Sequence, residues 1–363
     1  VLGINPINLG GAPFALTINE AVTLKARDLG LDTHNQARLF VLPCIAGHVG
    51  ADTAGVILAE SPDSDNAMSL IVDVGTNAEI VLGNKDRLLV CSSPTGPAFE
   101  GGEISAGQRA TAGAIERVRI DRETLEPKFR VIGSELWSTE AGFEDSTKEL
   151  KITGICGSGI IEVVAEMFLA GVISEDGIVD GALAERSSRV RSHGRTWSYV
   201  LHFAEDETQR DIVVTQNDVR QIQLAKAALY AGIKLLMDKM GVSAVDRIRL
   251  AGAFGSHISV EHAMVLGLIP DCALDHVSSA GNAAGVGARI ALLDHKARGA
   301  IQQTVNRAER IETATESDFQ DHFVAAMAFP HKTDTYPHLF SVVEPPLKRV
   351  VEQTDGRRRR RRS

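Results

Sequence analysis

The sequence has few cysteines and no closely spaced pair among them. Its four cysteines are Cys44, Cys91, Cys156 and Cys272, and no Cys-x-x-Cys motif occurs. Iron–sulfur clusters, zinc ribbons and disulfide frameworks normally require such pairs or dense cysteine spacing. The sequence therefore excludes a ferredoxin, a zinc ribbon or a disulfide framework, and an iron–sulfur cluster would need cysteines that the fold brings together or a second subunit. The pattern indicates single thiols in a reducing cytoplasm.

Long apolar runs are also missing. No stretch approaches the roughly 20 residues that span a bilayer, and no secretory signal pattern occurs. We therefore predict no membrane association. The first residue is Val1 rather than Met, from which we expect a trimmed or partial chain. The 363 residues, 44% hydrophobic and 23% charged, predict a soluble globular protein with two domains or lobes.

Positive charge is scarce outside the end of the chain. The net charge is −9, and six arginines occupy positions 357–362. Without them the chain has 32 basic and 47 acidic residues, so the net charge of this body of the chain is about −15. An acidic body argues against nucleic acid as a ligand. The arginine run could bind RNA, an anionic membrane or an acidic partner. We favour a disordered, solvated end.

Residues 69–83 (SLIVDVGTNAEIVLG) organise the rest of the chain. Two apolar, β-branched runs predict two strands joined by a tight polar turn. Gly75 would let the backbone approach an anion, and Thr76, Asn77 and turn N–H groups could donate to phosphate oxygens. Asp73 is placed to hold Mg²⁺ through water. The alternative is an ordinary hairpin with a polar turn.

A second glycine turn lies upstream. Residues 37–44 predict a strand, followed by AGHVGADT and a helix to about Glu60. Asp52 or Thr53 would cap that helix. One interpretation places His48 and Asp52 facing a ligand above the strand end; the other is a capped helix with tight packing.

Two further segments carry glycine and polar residues. Residues 94–113 form a glycine-rich loop that leads towards a short helix, with Glu100 and Glu103 as candidate polar groups; the alternative is a surface flap. Gly157, Ser158 and Gly159 open a helix that runs to about Ala170. Such a start suits phosphate or carboxylate, whereas the alternative is close helix packing through small residues.

Residues 246–251 predict a strand that runs into a third glycine turn, with a helix near Val260. A strand, a glycine-rich turn and a helix commonly hold a nucleotide at the carboxyl end of a sheet strand. Gly252, Ala253 and Gly255 are the candidate contacts.

The remaining pattern completes the expected elements. Asn217 and Asp218 would cap a long helix that Gly241 ends. The other expected elements are a third strand at 86–93, a hairpin at 114–133, an insertion at 174–210, a helix that starts within 281–287 and runs to about Asn306, a helix at 318–328, and a proline-rich exit at 330–346.

The chain contains three glycine-rich turns of the type that binds anions or nucleotides. Three such turns are much less easily explained by coincidence than one is. Their order resembles the second lobe of the acetate kinase, sugar kinase, Hsp70 and actin superfamily. The resemblance implies an α/β fold with ribonuclease-H-like lobes, a mixed sheet flanked by helices. The turn at 73–77 would then match a phosphate motif, and residues 251–256 would match the adenosine motif.

Several segments of the sequence resemble one family of this superfamily in particular. The segments VDVGTNAEIVLG, SSPTGPAFEGGEISAG, ITGICGSGI, LAGAFGSHI, GNAAGVGAR and FQDHFVAAMAFPH…YPHLF resemble the reductive activators of corrinoid proteins. Such ATP-dependent, ferredoxin-linked proteins return cob(II)alamin to cob(I)alamin for methyl transfer. The resemblance covers residues 1 to about 340. It implies ATP and Mg²⁺ as cofactors and a corrinoid protein of a methyltransferase system as partner, in the cytoplasm, with a homodimer also expected.

The resemblance also implies which part of such an activator this chain represents. Family members carry a two-iron two-sulfur domain and an earlier phosphate motif upstream, so we expect this chain to be a carboxyl-terminal portion. We expect residues 1–67 to complete a first lobe, 68–330 to form the ATP-binding second lobe, and 331–363 to form the exit and tail. Asp52 or Glu100 would position water, and Gly157, Ser158 and Gly159 would serve phosphate or a dimer contact.

Two other functions stay open at this point. A small-molecule kinase of the same superfamily would use the same turns, with Asp52 as the base. A non-catalytic module would only dimerise or dock on the corrinoid protein, without ATP binding.

Overall fold

The computed structural model describes residues 2–11, 15–204, 210–255 and 257–347, without the side chains of Ala253 and Phe254. The arginine run at 357–362 lies outside these ranges. Within them, no helix combines the length and apolar character needed to cross a membrane.

A six-stranded mixed sheet positions the central motif. Its strands are β3 Ser69–Val74, β4 Ala78–Gly83, β5 Leu88–Ser93, β11 Arg247–Ala251, β12 Val277–Gly281 and β13 Glu309–Arg310, numbered along the chain. The spatial order is β12-β11-β3-β4-β5-β13. The meander β3–β4–β5 is antiparallel, whereas β11 pairs parallel with both β3 and β12. The predicted strand–turn–strand and the third strand are therefore confirmed.

Helices cover both faces of this sheet because its central strands are apolar on both sides. On one face, Ile71, Val81 and Val90 pack with residues of α1 (Ala51–Glu60), α7 (Ala283–Leu293) and α8 (His295–Arg307). On the other face, Leu70 and Ile80 belong to the core that includes α4 (Gln216–Met240). Near-continuous apolar runs are expected for strands buried on both faces.

The described residues among the first 60 add a small hairpin and one α-helix. Strands β1 (Val22–Lys25) and β2 (Arg38–Val41) pair antiparallel, and β2 is shorter than the predicted strand at 37–44. Helix α1 follows the glycine turn, as predicted. The predicted cap is wrong: Gly50 is the N-cap, and the Asp52 carboxylate accepts from the Thr53 N–H inside the first turn, at 2.9 Å.

The middle of the chain forms a layer against α3 (Gly157–Leu169). The predicted hairpin is confirmed as β6 (Ile115–Ile120) and β7 (Pro127–Val131), so a strand rather than a helix follows the 94–113 loop, whose only helical residues are a short 3₁₀ turn at Ala98–Glu100. A short helix α2 (Phe143–Thr147) follows. The insertion is a three-stranded antiparallel sheet of β8 (Val190–His193), β9 (Thr196–His202) and β10 (Ile212–Thr215).

The long helix α4 is confirmed, with a corrected N-terminus. Thr215 is the N-cap and forms a reciprocal capping box with Asp218, so Asn217 is not a cap. Gly241 ends the helix in the left-handed conformation, at φ 75°.

The last third contains five helices in the described ranges. Two short ones, α5 (Gly252–Gly255) and α6 (Val260–Val265), follow β11. The predicted single helix from 281–287 to about Asn306 is two helices, α7 (Ala283–Leu293) and α8 (His295–Arg307), because Asp294 leaves the helical conformation and its side chain caps α8. Helix α9 (Asp318–Ala325) is shorter than predicted. The exit then packs back on the core through Phe329, Tyr336 and Leu339.

Candidate functional site

The turn between β3 and β4 is held by its own backbone and by the start of the following loop. The Gly75 N–H donates to the Asn77 carbonyl at 3.1 Å. The Thr95 hydroxyl lies 2.8 Å from the Gly75 carbonyl and 3.1 Å from the Thr76 carbonyl, and the Gly96 N–H donates to the latter carbonyl. Thr76 and Asn77 stay exposed. The turn is therefore fixed in position with its polar side chains accessible.

The third glycine turn meets the first one at Asp73. Parallel pairing places Ala251 in register with Asp73, so Gly252 follows directly beside the carboxylate. Gly252 has φ +86°, and a Cβ at that position would lie 2.5 Å from Asp73 Oδ1. Glycine is required there for both reasons. The two predicted motifs, about 175 residues apart in the chain, thus form one site.

Asp73, Glu79 and Ser92 form a polar row across three neighbouring strands. Glu79, on β4, lies opposite both Asp73 of β3 and Ser92 of β5. The Ser92 hydroxyl donates to Glu79 Oε1 at 3.2 Å. Burial, together with the charges of Asp52 and Asp73, raises the pKa of Glu79 to about 7. Burial and the charge of Asp52 also raise the pKa of Asp73. The row therefore favours a cation beside it.

The two candidates for positioning water, Asp52 and Glu100, lie on different elements. Asp52 is exposed on the first turn of α1, and its charge acts on both Asp73 and Glu79. Glu100 is exposed at the end of the 3₁₀ turn and accepts from the Thr76 hydroxyl at 3.2 Å. Glu100 thus contacts the candidate phosphate turn, whereas Asp52 acts on the polar row through its charge.

The donor set fits Mg²⁺. This ion keeps several waters and binds proteins through one or two carboxylates together with phosphate oxygens. Among the described residues, no group of three His, Cys, Asp or Glu side chains could hold a metal ion by itself. Asp73, half-buried and with a raised pKa, supplies the carboxylate for such a partly hydrated ion.

Packing explains the other predicted glycines to different extents. Ser158 is buried with its hydroxyl 3.3 Å from Cys156 Sγ, and a Cβ at Gly159 would collide with the Ile115 carbonyl. A Cβ at Gly255 would lie 2.8 Å from the Leu250 carbonyl carbon. Gly157 is the first residue of α3. An anion or dimer role for Gly157, Ser158 and Gly159 stays a prediction. The side chain of Ala253 and all of Ser256 lie outside the described parts of the chain.

A cavity of about 230 Å³ opens beside the phosphate turn, away from Gly252. Asn77 and Ser92 line it from the sheet, and His48 lines it from the first glycine turn. The edge strand contributes Arg310, which pairs with Glu312. The cavity brings His48 to the vicinity of the turn, and the interpretation that His48 and Asp52 face a ligand stays a prediction.

Glu79 is the site residue that the sequence reasoning missed. Glu79 lies within the second of the two strands that the apolar runs at 69–83 predict. The available signal was a single acidic residue in the otherwise apolar segment AEIVLG, at the position that a three-residue turn pairs with Asp73.

Comparison with known proteins identifies the family. Residues 67–340 match the family model of the C-terminal domain of RACo, the ASKHA domain. The chain belongs to this family. Residues 1–64 match the RACo middle region. The resemblance to reductive activators of corrinoid proteins is thereby confirmed. The expected fold of the acetate kinase, sugar kinase, Hsp70 and actin superfamily, abbreviated ASKHA, is confirmed as well.

Two relatives of this RACo-family chain have names that refer to corrinoid activation or to a corrinoid protein. It is 34% identical to the corrinoid activation enzyme RamQ of Eubacterium limosum over 336 residues, 90% of this chain and 54% of RamQ. It is 25% identical to a [Co(II) methylated amine-specific corrinoid protein] reductase of Methanosarcina barkeri over 334 residues, 88% of this chain and 57% of that protein.

A solved structure shares the fold. The reductive activator for corrinoid,iron-sulfur protein superimposes with a TM-score of 0.78 at 32% identity, covering 93% of this chain and 51% of that one. The chain therefore spans about half the length of the relatives it matches.

Proposed function

We propose that this chain is the nucleotide-binding part of an ATP-dependent activator that reduces the cobalt of a corrinoid protein from cob(II)alamin to cob(I)alamin. Membership of the RACo family supports the reaction class. The observation that carries the nucleotide assignment is the approach of Gly252 to Asp73, since it joins a phosphate-type turn and an adenosine-type turn.

In this proposal each part of the site has one role. Asp73 holds Mg²⁺ through water, and the exposed turn donates to the phosphates through Gly75, Thr76 and Asn77. Gly252, Ala253 and Gly255 cradle adenosine. Asp52 or Glu100 positions water. Gly157, Ser158 and Gly159 serve a further phosphate contact or a dimer contact.

The reduction takes one electron per cobalt, and we assign its source to a two-iron two-sulfur cluster outside this sequence. The scattered cysteines support this assignment, because Cys91, Cys156 and Cys272 are each buried at different places in the fold. ATP acts through its different affinity for two conformations of the complex. The partner is a corrinoid protein of a cytoplasmic methyltransferase system.

Calorimetry with Mg-ATP tests the nucleotide site. We expect the chain to bind Mg-ATP, and Asp73→Asn to weaken this binding at least tenfold while ATP without Mg²⁺ binds both proteins equally. Asp86→Asn, an exposed position at the opposite end of β4, is the matched control and should bind normally. Unchanged Mg-ATP affinity in Asp73→Asn, or no ATP binding by the wild type, would refute the assignment.

Electron paramagnetic resonance of a corrinoid protein in the cob(II)alamin state tests the partner without requiring the cluster. We expect the chain to change the cobalt spectrum with Mg-ATP and to change it less without nucleotide. A spectrum that is the same with and without the chain contradicts a corrinoid partner for this part of the activator.

A further inference from the structure

A buried carboxylate joins two arginines of the β6–β7 hairpin to α3. Glu162 on α3 is fully buried and accepts from Arg117 Nη1 at 2.8 Å and Arg119 Nη1 at 2.6 Å. It also accepts from the Val118 N–H at 2.9 Å. The buried charge is thus paired, and each guanidinium is fixed at one end.

Only one of these two arginines is in contact with the nucleotide side of the site among the described residues. Arg117 Nη1 also donates to the His257 carbonyl at 3.0 Å. His257 lies two residues after Gly255, the end of the adenosine-type turn. Arg119 instead lies over the Trp137 ring, with its guanidinium carbon 5.8 Å from the ring centroid.

We infer that Arg117 is a positioning residue for the adenosine-binding turn: anchored on Glu162, it holds the loop at His257 and thereby the backbone of Gly252–Gly255 beside Asp73. This inference rests on the proposed function. The phosphate turn has separate support, since Thr95 and Gly96 hold Gly75 and Thr76. Arg117 should therefore affect recognition of the nucleoside and not of the phosphates.

The two arginines provide a matched pair of variants. Arg117→Met and Arg119→Met each remove one guanidinium from the same buried carboxylate, and their side chains are similarly exposed, at 32% and 39%. Arg119→Met also removes the ion pair between Arg119 and Glu166 at 3.8 Å, so a general weakening of the hairpin should be at least as large in that variant. Arg117→Lys retains a cation that can donate to the His257 carbonyl.

Calorimetric titration with Mg-ATP and with Mg-tripolyphosphate separates the roles. Loss of a charge-assisted hydrogen bond is expected to weaken ATP binding by Arg117→Met about tenfold relative to Arg119→Met. Tripolyphosphate should bind both variants alike, and Arg117→Lys should recover part of the ATP affinity. Thermal denaturation of both Met variants gives the loss of stability that they share.

The outcomes are distinct. Equal ATP affinities in Arg117→Met and Arg119→Met, or an equal loss for ATP and tripolyphosphate, would overturn the positioning role while leaving the nucleotide site intact. Absence of ATP binding by the wild type would refute the proposed function itself, and the inference with it.

Discussion

Gly252 leaves no room for a side chain against Asp73: a β-carbon there would lie 2.5 Å from the carboxylate oxygen Oδ1. This contact joins the ends of the neighbouring parallel strands β3 and β11. A substitution at Gly252 therefore tests the glycine turn and the position of the Asp73 carboxylate together.

Gly252→Ala should abolish Mg-ATP binding, because the added methyl group displaces Asp73 or shifts the turn. The left-handed backbone should also cost about 1–2 kcal/mol of unfolding free energy. Gly241→Ala is the control, since Gly241 has φ +75° with open space around it. We expect both variants to lose stability in urea titrations, Gly252→Ala more because of the contact with Asp73, and only Gly252→Ala to lose ATP in calorimetry. Normal ATP affinity in Gly252→Ala would contradict the assigned site.

Glu79 should make the protein less stable as the pH rises. Its pKa is raised from 4.5 to about 7, so the folded state binds the proton more tightly than the unfolded state does. The resulting stabilisation is complete below pH 4.5 and is lost as the pH rises through about 7. Between pH 5 and pH 8, we expect the wild type to lose about 1–3 kcal/mol more than Glu79→Gln does. Parallel stability curves for the two proteins would contradict this account.

Glu162→Gln should destabilise the protein strongly. The change removes the carboxylate charge that compensates Arg117 and Arg119, and the Glu162 side chain is only 1% exposed. Losing one member of a buried ion pair costs about 3–5 kcal/mol, and the partial exposure of both arginines places the expected loss near 3 kcal/mol. Chemical denaturation measures it. Glu149→Gln, at an exposed position, should change stability by less than about 0.5 kcal/mol.

Lys226→Met should loosen the segment that follows α9. The Lys226 ammonium is fully buried and donates to the Ala328 carbonyl at 2.6 Å and to the Pro330 carbonyl at 2.7 Å. Methionine keeps most of the side-chain volume but leaves both carbonyls unsatisfied, at about 2–4 kcal/mol in total. We expect faster hydrogen exchange over residues 326–343.

Lys234→Met is the control for that change. It lies on the same helix, and its side chain pairs with Asp334 at 3.3 Å while remaining 24% exposed. Its loss should cost less than about 1 kcal/mol. Exchange over residues 326–343 in Lys226→Met that is as slow as in the wild type would show that Lys226 does not hold the segment.

Local patterns predicted much of the fold. The apolar runs around the turn at 75–77 correctly gave β3 and β4, because strand periodicity and turn chemistry are properties of a short segment. Helix ends were less accurate. Asp52 and Asn217 are good capping residues by type, yet Gly50 and Thr215 occupy the N-cap positions because the chain geometry at each helix entry decides the cap.

The assembled site could be predicted only in part. Each turn was identified separately, but the contact of Gly252 with Asp73 depends on parallel pairing of distant strands, which no local pattern specifies. The importance of Glu79 likewise arises from its cross-strand neighbours and its burial.

The packing of α1 against α7 has a mechanical consequence. A Cβ at Gly55 would lie 2.9 Å from the Ala284 carbonyl oxygen, and one at Gly287 would collide with the Gly55 carbonyl oxygen. Backbone therefore meets backbone, and the helix axes approach the lower limit of about 8 Å. The contact between the two family regions therefore has no space for a side chain, and a methyl group on either glycine would force the two helices apart.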